Sequence, residues 1–262
     1  MAWLGRRYRV RFEPGLFART GFLAGDDRRR TDELNAALSD PEAQAIVAAR
    51  GGYGLGRIAP YLELEALLRH PKWIVGFSDL TALHLEATRA GVMSLHGHNV
   101  AGLGRGDARA REAWVTALER PTCLHFDGLT VVHPGEAAGP LAGGNLTVLF
   151  ASHAAGRLRL PPGAILLLED IDETSYRIDR MLSALVQSGA LGSVSGIVLG
   201  EFTNCSPGRY AVPTEHVLAE RLGLLNVPVL AGLPVGHGRD NAPVVLGGHA
   251  RLSAQAASLS IE

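Results

Sequence analysis

The sequence predicts an α/β fold: an N-terminal, mostly parallel sheet flanked by helices, followed by a smaller strand-rich domain. Three observations carry this expectation. The first half alternates short β-rich runs with helical patterns, the sequence form of βαβ units. From about residue 120 the chain breaks into short apolar runs separated by Pro and Gly. With 262 residues, 47% hydrophobic and 19% charged, it can bury one large core or two modest ones. The expected division is residues 1–120 and 121–262.

In the first part, TDELNAALSDPEAQ (31–44) reads as a helix with Thr31 as a candidate cap and Leu34, Ala37 and Leu38 on one face. AIVAAR follows as a strand, GGYGLG as a tight loop, IAPYLELEALLRH as a helix and KWIVGF as a strand. DLTALHLEATRAG is then a helix closed by Gly91, and GVMSLHGH a further strand. GRGDARAREAWVTALERPT, near residues 104–122, is a polar helix leading out of this part. The second part offers strand-like runs in TCLHFDGLTVVHPG, GPLAGGNLTVLFAS, GAILLLEDID, SGIVLGEF, PVLAGLPVGHG and APVVLGGHARLSA. One clear helix is inserted, with Ile178, Met181, Leu182 and Leu185 at i, i+3, i+4 and i+7 and Gly189 at its end.

Charge excludes some functions. Twenty-five basic against 26 acidic side chains give a net charge of -1, so no global field attracts nucleic acid or an anionic membrane. The expected partner is a small molecule or another protein. Cys123 and Cys205 form no CxxC and lie far apart, which fits a reducing compartment and neither a disulfide framework nor structural zinc. The opening MAWLGRRYRVRFEPG lacks the apolar core of a signal peptide, and no stretch of about 18 uncharged apolar residues follows. A soluble, cytoplasmic protein is expected.

Four stretches could carry chemistry. In VGFSDLTALHLEA (75–87), Ser78 stands where a buried strand turns into a helix, with amides free at the helix N-terminus to stabilise an oxyanion. The bland alternative is that Ser78 or Asp79 caps the helix. The second glycine of G-x-S-x-G is missing, so this is not an α/β-hydrolase signature. RGGYGLGR (50–57) matches neither a P-loop nor G-x-G-x-x-G, and remains either a tight turn or a loop able to approach a ligand and supply an oxyanion amide.

ILLLEDIDE (165–173) ends an apolar strand in four carboxylates, and fails the EF-hand pattern. Asp172 and Glu173 suit the positive end of the next helix. Glu169, directly after four apolar residues, points from a buried strand end and needs a partner such as histidine. GLPVGHGRDN (232–241) places His237 between glycines. His84, His96 and His98 compete as bases; His84, six residues into the helix after Ser78, is expected to point away from the turn, while pattern leaves His96 and His98 open.

Taken together, GFLAGDDRRRTDELNAALSDPEAQAIVAARGGYGLGRIAPYL, GFSDLTALH, LHGH, GGNLTVL, LLLEDIDETSYRIDRML and PVGHGRDNAPVVLGGHARL resemble the LD-carboxypeptidase family, peptidase family S66. That family includes murein-recycling tetrapeptide carboxypeptidases and microcin C self-immunity hydrolases. The resemblance implies a nucleophile-bearing α/β domain and a small strand-rich domain, a Ser-His-Glu triad of Ser78, His237 and Glu169, and no metal or cofactor. It further implies an oxyanion hole from Asp79 N–H and an amide of the Arg50-Gly51-Gly52-Tyr53 loop. Arg50, Arg177, Arg180 and Asn145 are candidates for polar substrate contacts, against the commoner reading of a helical arginine as a solvated or ion-paired surface group.

The chain departs from the family by entering near the segment that follows the family's first strand and helix, which would expose a sheet edge and makes a homodimer one expected consequence. The implied activity is removal of a C-terminal D-amino acid, D-Ala, from a murein tetrapeptide. The alternatives are a microcin-like peptidyl or aminoacyl nucleotide substrate, for which Tyr53, Trp73 and Trp114 are the candidate stacking aromatics, and a non-catalytic peptide-binding protein.

Overall fold

The computed structural model describes residues 2–121 and 123–262. Among the described residues, twelve strands form two sheets. In the first half lie β1 (Ala45–Val47), β2 (Trp73–Gly76) and β3 (Ser94–His96). Then come β4 (Leu124–Phe126), β5 (Thr130–His133), β6 (Glu136–Asn145), β7 (Ile165–Ile171) and β8 (Gly196–Thr203). The last are β9 (Val229–Ala231), β10 (Val244–Leu246), β11 (His249–Ser253) and β12 (Ser258–Ile261).

The first sheet has the order β1-β2-β3-β10, with β1, β2 and β3 parallel and β10 antiparallel. β10 comes from the second half of the sequence, so the division at residue 120 describes chain order but not the sheets. It pairs Val244 with His96, which fastens the segment just after His237 to the strand just after the Ser78 helix. The second sheet runs β4-β12-β11-β6-β7-β8-β9-β5, with a parallel centre from β6 to β9 and antiparallel flanks.

All four residues of the run Ile165-Leu166-Leu167-Leu168 are fully buried because β7 is covered on both faces. Ile165 and Leu167 pack with Val75, Leu95 and Val244 between the two sheets, while Leu166 and Leu168 meet the helices on the outer face. Those helices are Leu146–Ala154, Ser175–Gln187 and Thr214–Gly223. The sequence led to only one. Leu146–Ala154 contains the strand-like Thr147-Val148-Leu149-Phe150, and is made helical by its N-terminus: Asn145 Oδ1 accepts the Val148 N–H and Asp170 Oδ2 accepts the Thr147 N–H.

Smaller corrections follow the same logic of capping. The first long helix is Asp27–Ser39 and is capped by Asp26, whose side chain accepts the Arg29 N–H; Thr31 lies inside it and bonds the Asp27 carbonyl. The stretch around IAPYLELEALLRH is a short turn of 3-10 helix, Ala59–Tyr61, followed by helix Glu65–Arg69, because Pro60 admits no continuous helix from Ile58. No helix among the described residues is long and apolar enough to cross a membrane.

Candidate active site

β2 ends at Gly76, and the chain reverses direction within three residues. Gly76 has φ 154°, Phe77 is extended, and Ser78 has φ 67°, a conformation a non-glycine residue adopts at a cost of about 1–3 kcal/mol. Gly76 admits no side chain: a Cβ would sit 2.6 Å from Leu80 Cδ2 and 3.0 Å from Ala48 Cβ. The Ser78–Leu80 turn runs straight into the helix Thr81–Arg89, so Ser78, half-buried, stands at the N-terminal side of that helix.

The glycine-rich loop lies against this serine. A Cβ on Gly51 would fall 3.0 Å from Ser78 Cβ and 3.1 Å from Ser78 Oγ, so any larger residue there would press on the serine. The loop is held from two sides, by Arg30 Nη2 donating to the Gly54 carbonyl at 2.7 Å and by Leu55 N–H donating to Asp79 Oδ2 at 2.9 Å. Burial pushes the Asp79 carboxyl up, against the lowering by the Leu55 and Gly54 amides. Gly52 and Tyr53 N–H make no hydrogen bond to a backbone group of the described residues outside helices and strands. Asp79 therefore has two separate uses, its amide at the helix N-terminus and its carboxylate on the loop.

Glu169 and His237 are brought together from β7 and from the loop after β9. Glu169 is fully buried, and its Oε2 accepts from His237 Nδ1 at 2.7 Å. Opposite Glu169 the ladder is irregular: Leu168 pairs with Leu199 but Asp170 pairs with Phe202, so β8 carries one extra residue there. Such a bulge re-aims side chains at a strand end. Glu169 turns to the imidazole, while Asp170 caps the Leu146 helix with Asn145 Nδ2 and Thr147. Burial pushes the Glu169 carboxyl up and the His237 hydrogen bond opposes it.

Both glycines beside His237 are dictated by packing. A Cβ on Gly236, whose φ is 133°, would lie 3.0 Å from Glu169 Oε2, and one on Gly238 would overlap the Glu201 carboxylate. The loop is fixed by Asn241 Oδ1 accepting the Gly236 N–H at 3.0 Å and by Ala242 N–H on the Pro234 carbonyl at 2.7 Å. His237 reaches the serine turn through Phe77, whose ring centroid is 4.8 Å from that of the imidazole. Among the described residues Ser78 Oγ makes no hydrogen bond to the imidazole; such bonds commonly tighten only when substrate is bound.

The competing histidines sort differently from their sequence expectation. His84 does not point away from the turn: its Nε2 lies 2.9 Å from the Gly76 carbonyl and its Nδ1 2.8 Å from Ser94 Oγ. The helix turns through 100° per residue, which brings position 84 back over the strand that precedes the turn. His96 and His98 are buried, with ring nitrogens that find no partner among the described residues, and they border Phe77.

Asn145 is 5% exposed, with both amide atoms engaged by Asp170 and Val148, and its N–H donates to Thr81 Oγ1 across the two sheets. In this arrangement it joins the serine helix to β6, and its amide keeps one N–H and one lone pair beyond those bonds. Trp114 is likewise buried, with Nε1 on the His98 carbonyl, and Trp73 is half-buried, whereas Tyr53 is 61% exposed. Cys123 and Cys205 are free thiols. Sequence reasoning missed the Asp79 carboxylate, Asp170, Asn241 and Phe77; only the last could have been suspected, as the residue next to the serine.

A serine in a strained strand-to-helix turn lies against a glycine-rich loop, and a carboxylate–imidazole pair reaches the same turn through Phe77, the residue types that amide-bond hydrolysis would use. Comparison with known proteins makes the class specific. Residues 1–97 match the LD-carboxypeptidase N-terminal domain and residues 138–252 the LD-carboxypeptidase C-terminal domain. The murein tetrapeptide carboxypeptidase of Pseudomonas aeruginosa is 34% identical over 86% of this chain and 77% of its own, and a Synechocystis sp. relative is 39% identical over 98% and 86%.

The crystal structure of muramoyltetrapeptide carboxypeptidase from Oxalobacter formigenes superposes with a TM-score of 0.85 at 30% identity, covering 98% of this chain and 90% of that one. The microcin C7 self-immunity protein MccF, in complex with aspartyl sulfamoyl adenosine, shares the fold, with a TM-score of 0.83 at 22% identity over 94% and 84%. The chain belongs to the LD-carboxypeptidase family, peptidase family S66, and its relatives support a carboxypeptidase function.

Proposed function

We propose that this protein is a serine carboxypeptidase that hydrolyses the L,D-peptide bond to the C-terminal D-alanine of murein tetrapeptides. The observation that carries the serine mechanism is the His237 Nδ1–Glu169 Oε2 contact of 2.7 Å behind a Ser78 turn with φ 67°. An ionised carboxylate can only accept, so Nδ1 bears the proton and Nε2 is left unprotonated, the tautomer a general base requires. His237 takes the Ser78 proton as Oγ attacks the peptide carbonyl, and the imidazolium that forms is stabilised by Glu169.

The oxyanion of the tetrahedral intermediate is received by the Asp79 N–H and an amide of the Gly51-Gly52-Tyr53 loop. The imidazolium then protonates the departing D-alanine nitrogen, leaving an acyl-enzyme on Ser78. Water, deprotonated by His237, attacks this ester and releases the shortened peptide. The identity of the substrate rests on the similarity to murein peptide carboxypeptidases, and a part in murein recycling in the cytoplasm belongs to the same proposal. The purified protein is expected to release D-alanine from a murein tetrapeptide and Ser78→Ala to release none; release that survives this substitution overturns the mechanism.

A second reading, a peptidyl or aminoacyl nucleotide as substrate, draws on one observation. Tyr53, two residues beyond Gly51, offers an exposed ring at 5.6 Å from that of Phe22, and such a face can stack on a base. Competition between a murein tetrapeptide and an aminoacyl sulfamoyl nucleoside for the same protein separates the two: the first reading expects the nucleoside to inhibit weakly and to be cleaved slowly compared with D-alanine release.

A further inference from the structure

We propose that His84 is a positioning residue of the active site, which sets the peptide plane between Gly76 and Phe77 and through it the Ser78 turn and the Phe77 ring. The inference rests on Ser78 being the nucleophile, and goes beyond it by giving a task to a histidine that neither binds substrate nor transfers a proton.

The assignment follows from hydrogen-bond chemistry. His84 is fully buried, and its Nε2 lies 2.9 Å from the Gly76 carbonyl oxygen, a group that can only accept. Nε2 must therefore carry the proton. Nδ1 is then the acceptor, and the Ser94 hydroxyl, 2.8 Å away and also fully buried, must donate to it. Burial holds the imidazole neutral, pushing its pKa down to about 4. The ring is thus locked in one tautomer by one residue on β3 and aimed at one carbonyl on β2.

That carbonyl is at the start of the strained segment. It also accepts the Gly97 N–H at 3.1 Å, so the plane is held by two donors, one on the serine helix and one just beyond β3. Rotating the plane would change ψ of Gly76 and φ of Phe77, the torsions immediately before a serine at φ 67°. Phe77 would move with it, and its ring supports His237 at 4.8 Å. Nucleophile and base therefore depend on the same peptide plane. A leucine at position 84 would fill similar space, but would leave the Ser94 hydroxyl without its acceptor and the carbonyl with one donor.

The test compares wild type, His84→Leu, His84→Gln and Ser94→Ala for D-alanine release from a murein tetrapeptide and for the rate of Ser78 labelling by a fluorophosphonate. His84→Leu is expected to lower kcat and the labelling rate together by about 100-fold while KM changes little, the signature of a misplaced reacting group. His84→Gln, whose amide can donate to Gly76 and accept from Ser94, is expected to recover to within about tenfold of wild type. Ser94→Ala is expected to fall between the two.

Nitrogen-15 spectra of the wild-type imidazoles are expected to show His84 as the Nε2–H tautomer at neutral pH. They decide the matter if His84→Leu fails to fold, since the Nδ1–H tautomer would overturn the proposal. A folded His84→Leu protein with unchanged kcat and labelling, or a glutamine variant no better than the leucine one, also overturns it while leaving the nucleophile in place. A wild-type protein that neither cleaves nor labels removes the Ser78 reading itself and the role of His84 with it.

Discussion

Asp79 Oδ2 accepts the Leu55 N–H at 2.9 Å, so the residue directly after Ser78 holds the glycine-rich loop that lies against Ser78 Oγ. The two halves of the proposed oxyanion site are thereby joined by one side chain. Asp79→Ala keeps the amide at the helix N-terminus but releases the loop. It is expected to lower kcat by about 10- to 100-fold through misalignment of the loop amide. Asp79→Asn, which keeps an acceptor oxygen, is expected to lose much less. Steady-state kinetics of the two variants check this, and equal losses would mean that the carboxylate's charge matters more than its hold on Leu55.

Glu169 offers a sharper case, because the hydrogen bond to His237 decides a tautomer. In Glu169→Gln the side-chain amide can present its NH₂ to Nδ1, which then must accept, placing the proton on Nε2 where it blocks general-base action. A fall in kcat of about 10³- to 10⁴-fold is expected with the fold intact. Kinetics beside circular dichroism provide the check; a variant with near-normal kcat would show that the buried carboxylate serves packing only.

Local cues single out the Ser78, Glu169 and His237 stretches: a polar residue at the end of an apolar run, and glycines around a histidine. Spacing leaves a cap at Ser78 and other histidines open, however, and the triad roles come from the family resemblance. The direction of His84 was not legible, since its partner Gly76 belongs to a neighbouring strand and Ser94 to another. The helix at Leu146 was missed for a similar reason. Its residues prefer strands, and the Asp170 carboxylate that caps it lies beyond a whole strand crossover. β10 joining the first sheet is a long-range pairing that no window of sequence contains. Two texture zones were visible, whereas the way they share a sheet depends on tertiary contacts.

Gly51 tests the closeness of loop and nucleophile. A methyl group there would lie 3.0 Å from Ser78 Cβ and 3.1 Å from Oγ, tighter than ordinary contact, and Gly51 is not in a left-handed conformation that would itself forbid alanine. Gly51→Ala is therefore expected to cost little stability, about 1 kcal/mol or less, but to slow acylation about tenfold or more by displacing the hydroxyl or the loop. Fluorophosphonate labelling rates beside urea denaturation separate these effects; a loss in stability without a loss in labelling would contradict the argument.

The buried histidines make stability depend on acid in a predictable direction. His84 titrates near 6.5 when unfolded and is pushed down to about 4 in the fold by burial. The unfolded state therefore binds the proton first, and the fold is favoured most above pH 6.5. As pH falls from 6.5 through 4, His84 alone withdraws about 3 kcal/mol. His96, held lower by burial and by His84 and His237, acts in the same direction. Glu169 and Asp79, whose carboxyls burial pushes up, have the opposite sign, since the fold takes up their protons more readily and gains from acid. His84→Gln isolates one contribution: urea midpoints measured between pH 7 and pH 4 are expected to fall more steeply for wild type than for the variant. Parallel slopes would show that His84 is not held neutral in the folded protein.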